Sequence, residues 1–338
     1  MNPSSGQPRA SVSVLGAGGV GIFLATRLSR VAQVTMIVRP GTAAQFTGTF
    51  QVQGLEQAEC SLAVQKHYSP PVVPVIMDEL ERALPVSTHR HFVIVACKAH
   101  ELRSALESLQ PRIALGTRVV LIQNGIGVLE EARAILPQVH WGRLICWFGV
   151  HRKSMEIVEW VGRGAVDWAA EESGFQQEFS TLLKCAGFSP REGVSPRLIE
   201  WRKALMNVSL NALCALSEVP NGRVLNDPGL KQGVDLLLNE ALAVARAHQV
   251  GLDEETERTR VWNAIQSVAG NFNSTYQDLQ AGRPTEISWL NGAVARLGRS
   301  AGVPVPTHEL VTALVAQLEK QRIEKTRNSH LANHSSSG

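Results

Sequence analysis

The sequence predicts an α/β protein: an N-terminal Rossmann-type domain built on a parallel sheet, followed by a mostly α-helical C-terminal domain. Three observations carry this. A glycine-rich turn joins a β-branched run to a helical pattern near the start. Continuous apolar runs separated by a helix-like segment fill the first half. From about Ser173 onward the pattern changes to long amphipathic helices. A chain of 338 residues is long enough for two cores. We expect domains at 10–170 and 171–325, with polar, disordered tails at 1–9 and 326–338.

Ser11 to Leu15 reads as a short strand, followed by Gly16-Ala17-Gly18-Gly19-Val20-Gly21 and a helical pattern through Leu24, Leu28 and Val31. Each glycine of this spacing has a mechanical role. Gly16 allows the tight turn, Gly18 lets backbone approach a pyrophosphate, and Gly21 lets helix pack closely on strand. The phosphates then meet free N–H groups and the positive dipole end of the helix. A second strand, Gln33 to Val38, ends in Arg39-Pro40 with no acid nearby. An acid there accepts from a ribose 2′-hydroxyl, whereas an arginine accommodates a 2′-phosphate, so the cofactor expected is NADP (NADPH) with Arg39 on the phosphate.

Two buried-strand patterns follow, Phe92 to Ala96 and Arg118 to Ile122, separated by a helix-like stretch from His100 to Leu109. Ligands of open α/β sheets bind beyond the carboxyl ends of strands, which is where Lys98 and Asn124 stand. Asn124 precedes Gly125 and also suits a plain turn. The segment from Leu55 to Leu84, with Pro70, Pro71 and Pro74, suits a loop or an irregular edge.

The second half contains a helix expected from Arg197 to Leu216 that is apolar almost all round yet carries Lys203, Asn207 and Asn211 at a spacing of four. Positions i, i+4 and i+8 share one side within about an 80° arc, making a cationic, amide-lined face. A buried ammonium needs a carboxylate, a carbonyl or a ligand, and an anionic substrate would serve. Further on, Thr285 suits a cap for a helix beginning at Glu286.

Composition narrows the partners. With 44% hydrophobic and 19% charged residues and no apolar run approaching a membrane span, the chain reads as soluble. A net charge of +3 without Lys/Arg runs gives no reason to propose nucleic acid or a membrane surface. The cysteines show neither a Cys-x-x-Cys pair nor metal-ligand spacing, so no metal site is expected. The N-terminal stretch lacks the features of a secretory signal, so a cytoplasmic address is expected.

These motifs together resemble the ketopantoate reductases (2-dehydropantoate 2-reductases) from about Ser11 to Leu318. The resemblance rests on the glycine loop, Lys98-Ala99, Gln123-Asn124-Gly125-Ile126-Gly127, and Trp201-Arg202-Lys203 with Asn207 and Asn211. It continues in Pro220-Asn221-Gly222, Gln277-Asp278 with Arg283, Thr285-Glu286-Ile287 and Asn291-Gly292. It implies hydride transfer from NADPH to the ketone carbon of 2-dehydropantoate, giving pantoate for pantothenate and coenzyme A synthesis. Lys203 resembles the family's catalytic lysine and Glu286 its acidic substrate residue. Asn207, Asn211 and Ser274 resemble substrate-binding groups, Asn124 the asparagine near the nicotinamide, and Arg39 and Lys98 the contacts on the adenosine phosphate side. A homodimer is left open.

Three departures bear on the substrate: Ser288 where the family often has Asp, Asn273-Ser274 where it has paired serines, and bulky Arg143 to Phe148 after Gly142, which is expected to reshape the pocket. The alternatives are the same chemistry on another 2-oxo acid and, from a different class, a non-catalytic NADP sensor.

Overall fold

The computed structural model describes residues 10–38, 50–54, 73–76, 91–162 and 164–335. The chain divides into two compact units, one comprising residues 1–123 and 128–199, the other 124–127 and 200–338. The first unit is built on eight strands: β1 Ser11–Leu15, β2 Gln33–Val38, β4 Val73–Ile76, β5 His91–Val95, β6 Arg118–Leu121, β7 His140–Cys146, β10 Val166–Ala170 and β11 Pro190–Glu192. Their order across the sheet is β11-β10-β7-β6-β5-β1-β2-β4. All neighbours are parallel except β7 and β10. The chain leaves β1 on one side through β2 and returns on the other as β5. The strand order therefore reverses at the carboxyl ends of β1 and β5, where such sheets bind ligands. Of the Leu55 to Leu84 segment only residues 73–76 lie among the described residues; they form the regular edge strand β4, where the missing N–H of Pro74 is tolerated.

Helix α1 (Gly19–Leu28) buries Ile22, Phe23, Leu24 and Leu28 against Val12, Val14, Phe92 and Ile94 of the sheet. Each such side chain contributes roughly 1.5–3 kcal/mol of apolar burial. Helices α2 (Leu102–Leu109) and α3 (Val128–Ile135) follow β5 and β6. A small second sheet, not foreseen from the sequence, joins β3 (Gln51–Gly54), β9 (Ile157–Gly162) and β8 (Gly149–Arg152) in the order β3-β9-β8. Trp160 of β9 lies against Phe23, with ring centroids 5.5 Å apart.

The expected boundary at 170/171 does not coincide with the division after Ile199. Helix α4 (Ser173–Cys185) sets Phe175 and Phe179 against Trp168 and Phe92, with centroids 4.6–5.9 Å apart, and β11 then adds an edge strand. Those contacts, to Trp168 on the strand just before the helix and to Phe92 far back in the chain, tie residues 173–192 to the sheet.

At the amino end of the sheet His91 is buried, with Ser11 Oγ 2.8 Å from Nδ1 and Ser13 Oγ 3.5 Å from Nε2. Burial disfavours the imidazolium and pushes its pKa from 6.5 down to about 4. Between those values the unfolded chain binds a proton that the folded chain does not. Stability therefore falls as pH drops through this window, by up to about 3 kcal/mol. Urea unfolding at pH 7.5 and pH 5 should show the loss, and a His91→Gln variant should show less of it. An equal loss in the variant would refute the assignment.

The second unit is helical: most of α5 (Pro196–Leu216), then α6 (Arg223–Asn226), α7 (Pro228–Ala247), α8 (Glu254–Ser267), α9 (Ser274–Gln280), α10 (Asn291–Ala301) and α11 (Pro306–Ser335). Its helix starts are set by local chemistry. The Asp227 carboxylate accepts from Leu230 N–H with Pro228 in the first turn, and Asp253 does the same for Thr256 N–H. Buried Glu257 takes Arg202 Nε at 3.0 Å, tying α5 to α8.

Residues 326–335, expected to be disordered, continue α11. Extending a helix that already exists avoids the cost of nucleation, and Arg327, Leu331 and Ala332 are good helix formers within this stretch. Residues 1–9 and 336–338 lie outside the described residues. No helix among the described residues is long and apolar enough to cross a membrane.

Candidate functional site

In the first unit, the turn after β1 places the three glycines in distinct environments. Gly16 has φ +107°, and a Cβ on it would stand 2.9 Å from the Cys97 backbone nitrogen, so both conformation and space demand glycine. At Gly21 a Cβ would stand 2.5 Å from the Gly16 oxygen, the close helix-to-strand approach expected of that position. At Gly18 the nearest atom, the Ala96 oxygen, is 3.7 Å away. The protein's own packing thus does not require a glycine there, whereas an incoming phosphate would. Gly18 is the N-cap of α1, whose first turn carries no acid and whose leading N–H groups have no partner within the helix. The arrangement fits a dinucleotide pyrophosphate.

Lys98, half-buried, stands just past the carboxyl end of β5, where its carbonyl accepts from Glu101 N–H at 3.0 Å. Arg39, assigned to the 2′-phosphate, lies outside the described residues. At the end of β6, Gln123 Nε2 donates to Val95 O (2.8 Å) and Cys97 O (3.1 Å), bracing the carboxyl ends of neighbouring strands.

In the second unit, α5 runs almost as expected, and its polar stripe lies in an apolar setting. Asn207 is 5% and Asn211 4% exposed, among buried Leu205, Val208, Leu210 and Ala212, and Lys203 is half-buried one turn earlier. Neither amide hydrogen-bonds another side chain among the described residues, yet neither is sealed from solvent. Such groups are suited to a polar ligand, since amides left unmatched at this burial are costly.

The structure brings Asn124 and Glu286 together from 162 residues apart: Asn124 Nδ2 donates to Glu286 Oε2 at 3.2 Å. Asn124 is therefore more than a turn former. It belongs with residues 125–127 to the helical unit. Ile126 N–H donates to Trp289 O at 2.8 Å, and Gly127 N–H to Glu200 Oε1 at 2.8 Å. Gly125, at φ +120°, lies so close to Trp289 that an added Cβ would stand 2.8 Å from the Trp289 Cβ.

Glu286 itself is 7% exposed and does not begin a helix. The N–H groups of Trp289 and Leu290 both return to Glu286 O at 3.0 Å, closing one isolated turn, and α10 starts only at Asn291. Thr285 does not cap a helix at 286. Its N–H and hydroxyl both donate to Glu319 Oε2 (2.8 and 2.6 Å), and its oxygen accepts from Ile287 N–H at 3.3 Å. The turn is anchored at its other end by Asn291, whose Nδ2 donates to Val208 O on α5 at 2.8 Å and lies 3.1 Å from His308 Nδ1. Ser274 is exposed at the start of α9, below the cap formed by Asn273 Oδ1 on Tyr276 N–H; Asn273 Nδ2 in turn donates to Asn221 Oδ1 at 3.2 Å.

Sequence reasoning missed Glu200, Glu319 and His308 as supports of this site. An acid inside the apolar run of α5, next to Trp201, was the available signal for Glu200. Nothing local marked the other two.

The bulky residues after Gly142 are used inside the first unit. Arg143 and Leu144 are fully buried and Arg143 Nη2 donates to Gln123 O at 2.8 Å. Trp147 Nε1 donates to Asp167 Oδ2 at 2.6 Å, and the Phe148 ring lies 5.0 Å from that of Phe23.

With this geometry in place, comparison with known proteins gives a consistent picture. Residues 12–172 match the family described as Ketopantoate reductase PanE/ApbA, and residues 196–319 match its C-terminal counterpart, Ketopantoate reductase PanE/ApbA C terminal. The 2-dehydropantoate 2-reductase of Vibrio cholerae serotype O1 is 24% identical over 297 residues, spanning 84% of this chain and 97% of the relative. Among solved structures, a PanE/ApbA family ketopantoate reductase from Ralstonia eutropha JMP134 superposes with a TM-score of 0.80 at 23% identity, covering 92% of this chain and 99% of the other. A D-mandelate dehydrogenase solved with NADH and anilino(oxo)acetate gives the same TM-score at 22% identity and the same coverage.

Proposed function

Because the chain belongs to the ketopantoate reductase family, PanE/ApbA, and is an oxidoreductase of the 2-dehydropantoate 2-reductase kind, we propose that it reduces 2-dehydropantoate to pantoate with NADPH, Lys203 acting as general acid. The observation that carries the reading is the buried stripe of α5, where Asn207 and Asn211 offer amides on the same side as Lys203.

The first unit contributes the cofactor groups. Gly16, Gly18 and Gly21 shape the phosphate turn, α1 presents its N–H groups to the pyrophosphate, and Lys98 and Arg39 hold the adenosine phosphate side, Arg39 selecting the 2′-phosphate. NADPH supplies the hydride when bound. The second unit contributes the rest. As the ketone carbon is reduced, negative charge grows on its oxygen; the Lys203 ammonium stabilises that charge and gives up a proton to it. Asn207 and Asn211 hold the 2-oxo acid in register with Lys203. Glu286 accepts from the substrate hydroxyl, Asn124 steadies Glu286 and the nicotinamide end, and Ser274 binds the substrate from the start of α9. A cytoplasmic location belongs to the same reading.

A second reading is the same chemistry on a different 2-oxo acid. It is supported by the likeness to a dehydrogenase of another 2-hydroxy acid and by Ser288 and Asn273, which depart from the family pattern. Oxidation of NADPH followed by absorbance, with 2-dehydropantoate, 2-oxoisovalerate and pyruvate in parallel, separates the two. Selective turnover of 2-dehydropantoate, with kcat/KM at least about tenfold higher for NADPH than for NADH, is the expected result. A preference for NADH would sink the role given to Arg39. Turnover confined to another acid would move the assignment to the second reading.

A further inference from the structure

We infer that Glu200 is a positioning residue: through Gly127 it holds the loop of residues 124–127 on α5, and so fixes where Asn124 stands relative to Lys203. The inference rests on the functional reading above for the importance of Asn124 and Lys203, but the geometry behind it is independent of that reading. Glu200 is 2% exposed and lies on α5 three residues before Lys203, less than one turn away. Its Oε1 accepts the Gly127 N–H at 2.8 Å, a short, charge-assisted bond to a carboxylate. Among the described residues, the loop's other hydrogen bonds to the helical unit, from Asn124 and Ile126, both go to the turn of residues 286–290. Glu200 thus supplies the attachment that refers the loop to α5 instead of to that turn.

The loop has reason to need such an anchor. Gly125 and Gly127 have φ of +120° and +85°, conformations that glycine adopts readily and leaves as readily. A Cβ at Gly127 would meet nothing within 4 Å, so on that side no neighbour restricts the residue. Its hydrogen bond to Glu200 supplies a directional restraint there. Shifting the acceptor lets the loop and the Asn124 amide drift, and displacements of about 1 Å at positioning groups carry large kinetic costs.

The test uses the full chain and three variants. Glu200→Gln keeps an acceptor for Gly127 N–H and should behave like the parent. Glu200→Leu removes the acceptor at similar volume, and Glu200→Asp keeps the charge but draws the acceptor back by one methylene. Both should raise KM for the 2-oxo acid by about 5–30-fold, with the NADPH dissociation constant unchanged. The effect of Glu200→Asp should be non-additive with Asn124→Ala, since both act through one amide. Amide hydrogen exchange at Gly127 should quicken in Glu200→Asp and Glu200→Leu and not in Glu200→Gln. If Glu200→Leu does not fold, Glu200→Asp and Glu200→Gln carry the comparison.

Equal KM in Glu200→Asp and the parent, or full additivity with Asn124→Ala, would overturn the inference while leaving the functional reading standing. Should the parent reduce no 2-oxo acid, the functional reading fails, and Gly127 exchange alone decides the anchor: unchanged exchange in Glu200→Asp refutes it, and faster exchange in Glu200→Asp but not in Glu200→Gln supports it.

Discussion

Lys203→Ala should lower kcat by a factor on the order of 10²–10⁴ while NADPH binding stays within about twofold of the parent. The expected size follows from what the side chain is asked to do. Removing a positioned general acid typically costs two to four orders of magnitude, and removing a cation beside a developing oxyanion costs about as much. The two losses overlap here because one group serves both roles. Lys203 is only half-buried, so its truncation leaves the apolar packing of Leu205, Val208 and Leu210 in place. Single-turnover reduction under saturating NADPH, beside a fluorescence titration of NADPH, measures chemistry and binding separately. A kcat within threefold of the parent would remove Lys203 from the chemistry, and a parallel collapse of NADPH binding would mean that it serves the cofactor instead.

The glycine turn should give the second large effect, split between stability and affinity by position. Gly21→Ala puts a methyl 2.5 Å from the Gly16 oxygen and 3.0 Å from the Ala96 Cβ, so backbone has to move. Overpacking of that kind costs about 1–3 kcal/mol, visible as a lower melting temperature without any ligand. Gly18→Ala has ordinary room, with its nearest neighbour at 3.7 Å. The apo protein should therefore melt like the parent, while NADPH affinity falls by about tenfold or more as the methyl obstructs the approach of the pyrophosphate. Unchanged NADPH affinity in a folded Gly18→Ala variant would remove the turn from the cofactor site.

These two regions were legible in the sequence for different reasons. The glycine turn could be read because its spacing is a local mechanical requirement, and the environments of Gly16 and Gly21 match the roles expected of them. The α5 stripe could be read because periodicity within one helix fixes which residues share a side, and the helix runs from Pro196 to Leu216, within one residue of expectation.

Reading failed where a residue's state depends on a partner far along the chain. Thr285 carries the chemistry of an N-cap, but Glu319 takes both of its donors and the helix begins at Asn291 instead. Residues 173–192 look like the start of a helical domain, but Phe175 and Phe179 pack on Phe92 and Trp168. The bulk of Arg143 to Phe148 suggested an altered pocket, whereas Arg143 is buried against Gln123 O and Phe148 packs on Phe23. Residues 326–335 departed from expectation for a local reason instead: their polar composition suggested disorder, yet they extend a helix already nucleated.

By itself, then, the sequence determined the order of strands and helices in the first βαβ unit, the shape of the phosphate turn and the side of α5 on which Lys203, Asn207 and Asn211 lie. All of these follow from steric rules acting within a few residues. Only the tertiary structure decided that Asn124 meets Glu286, that Glu200 holds Gly127 and that Glu319 holds Thr285. Those pairings join segments from 34 to 162 residues apart. Their choice is made by the packing of whole elements, which brings one acceptor within reach of a given donor and leaves others out of reach.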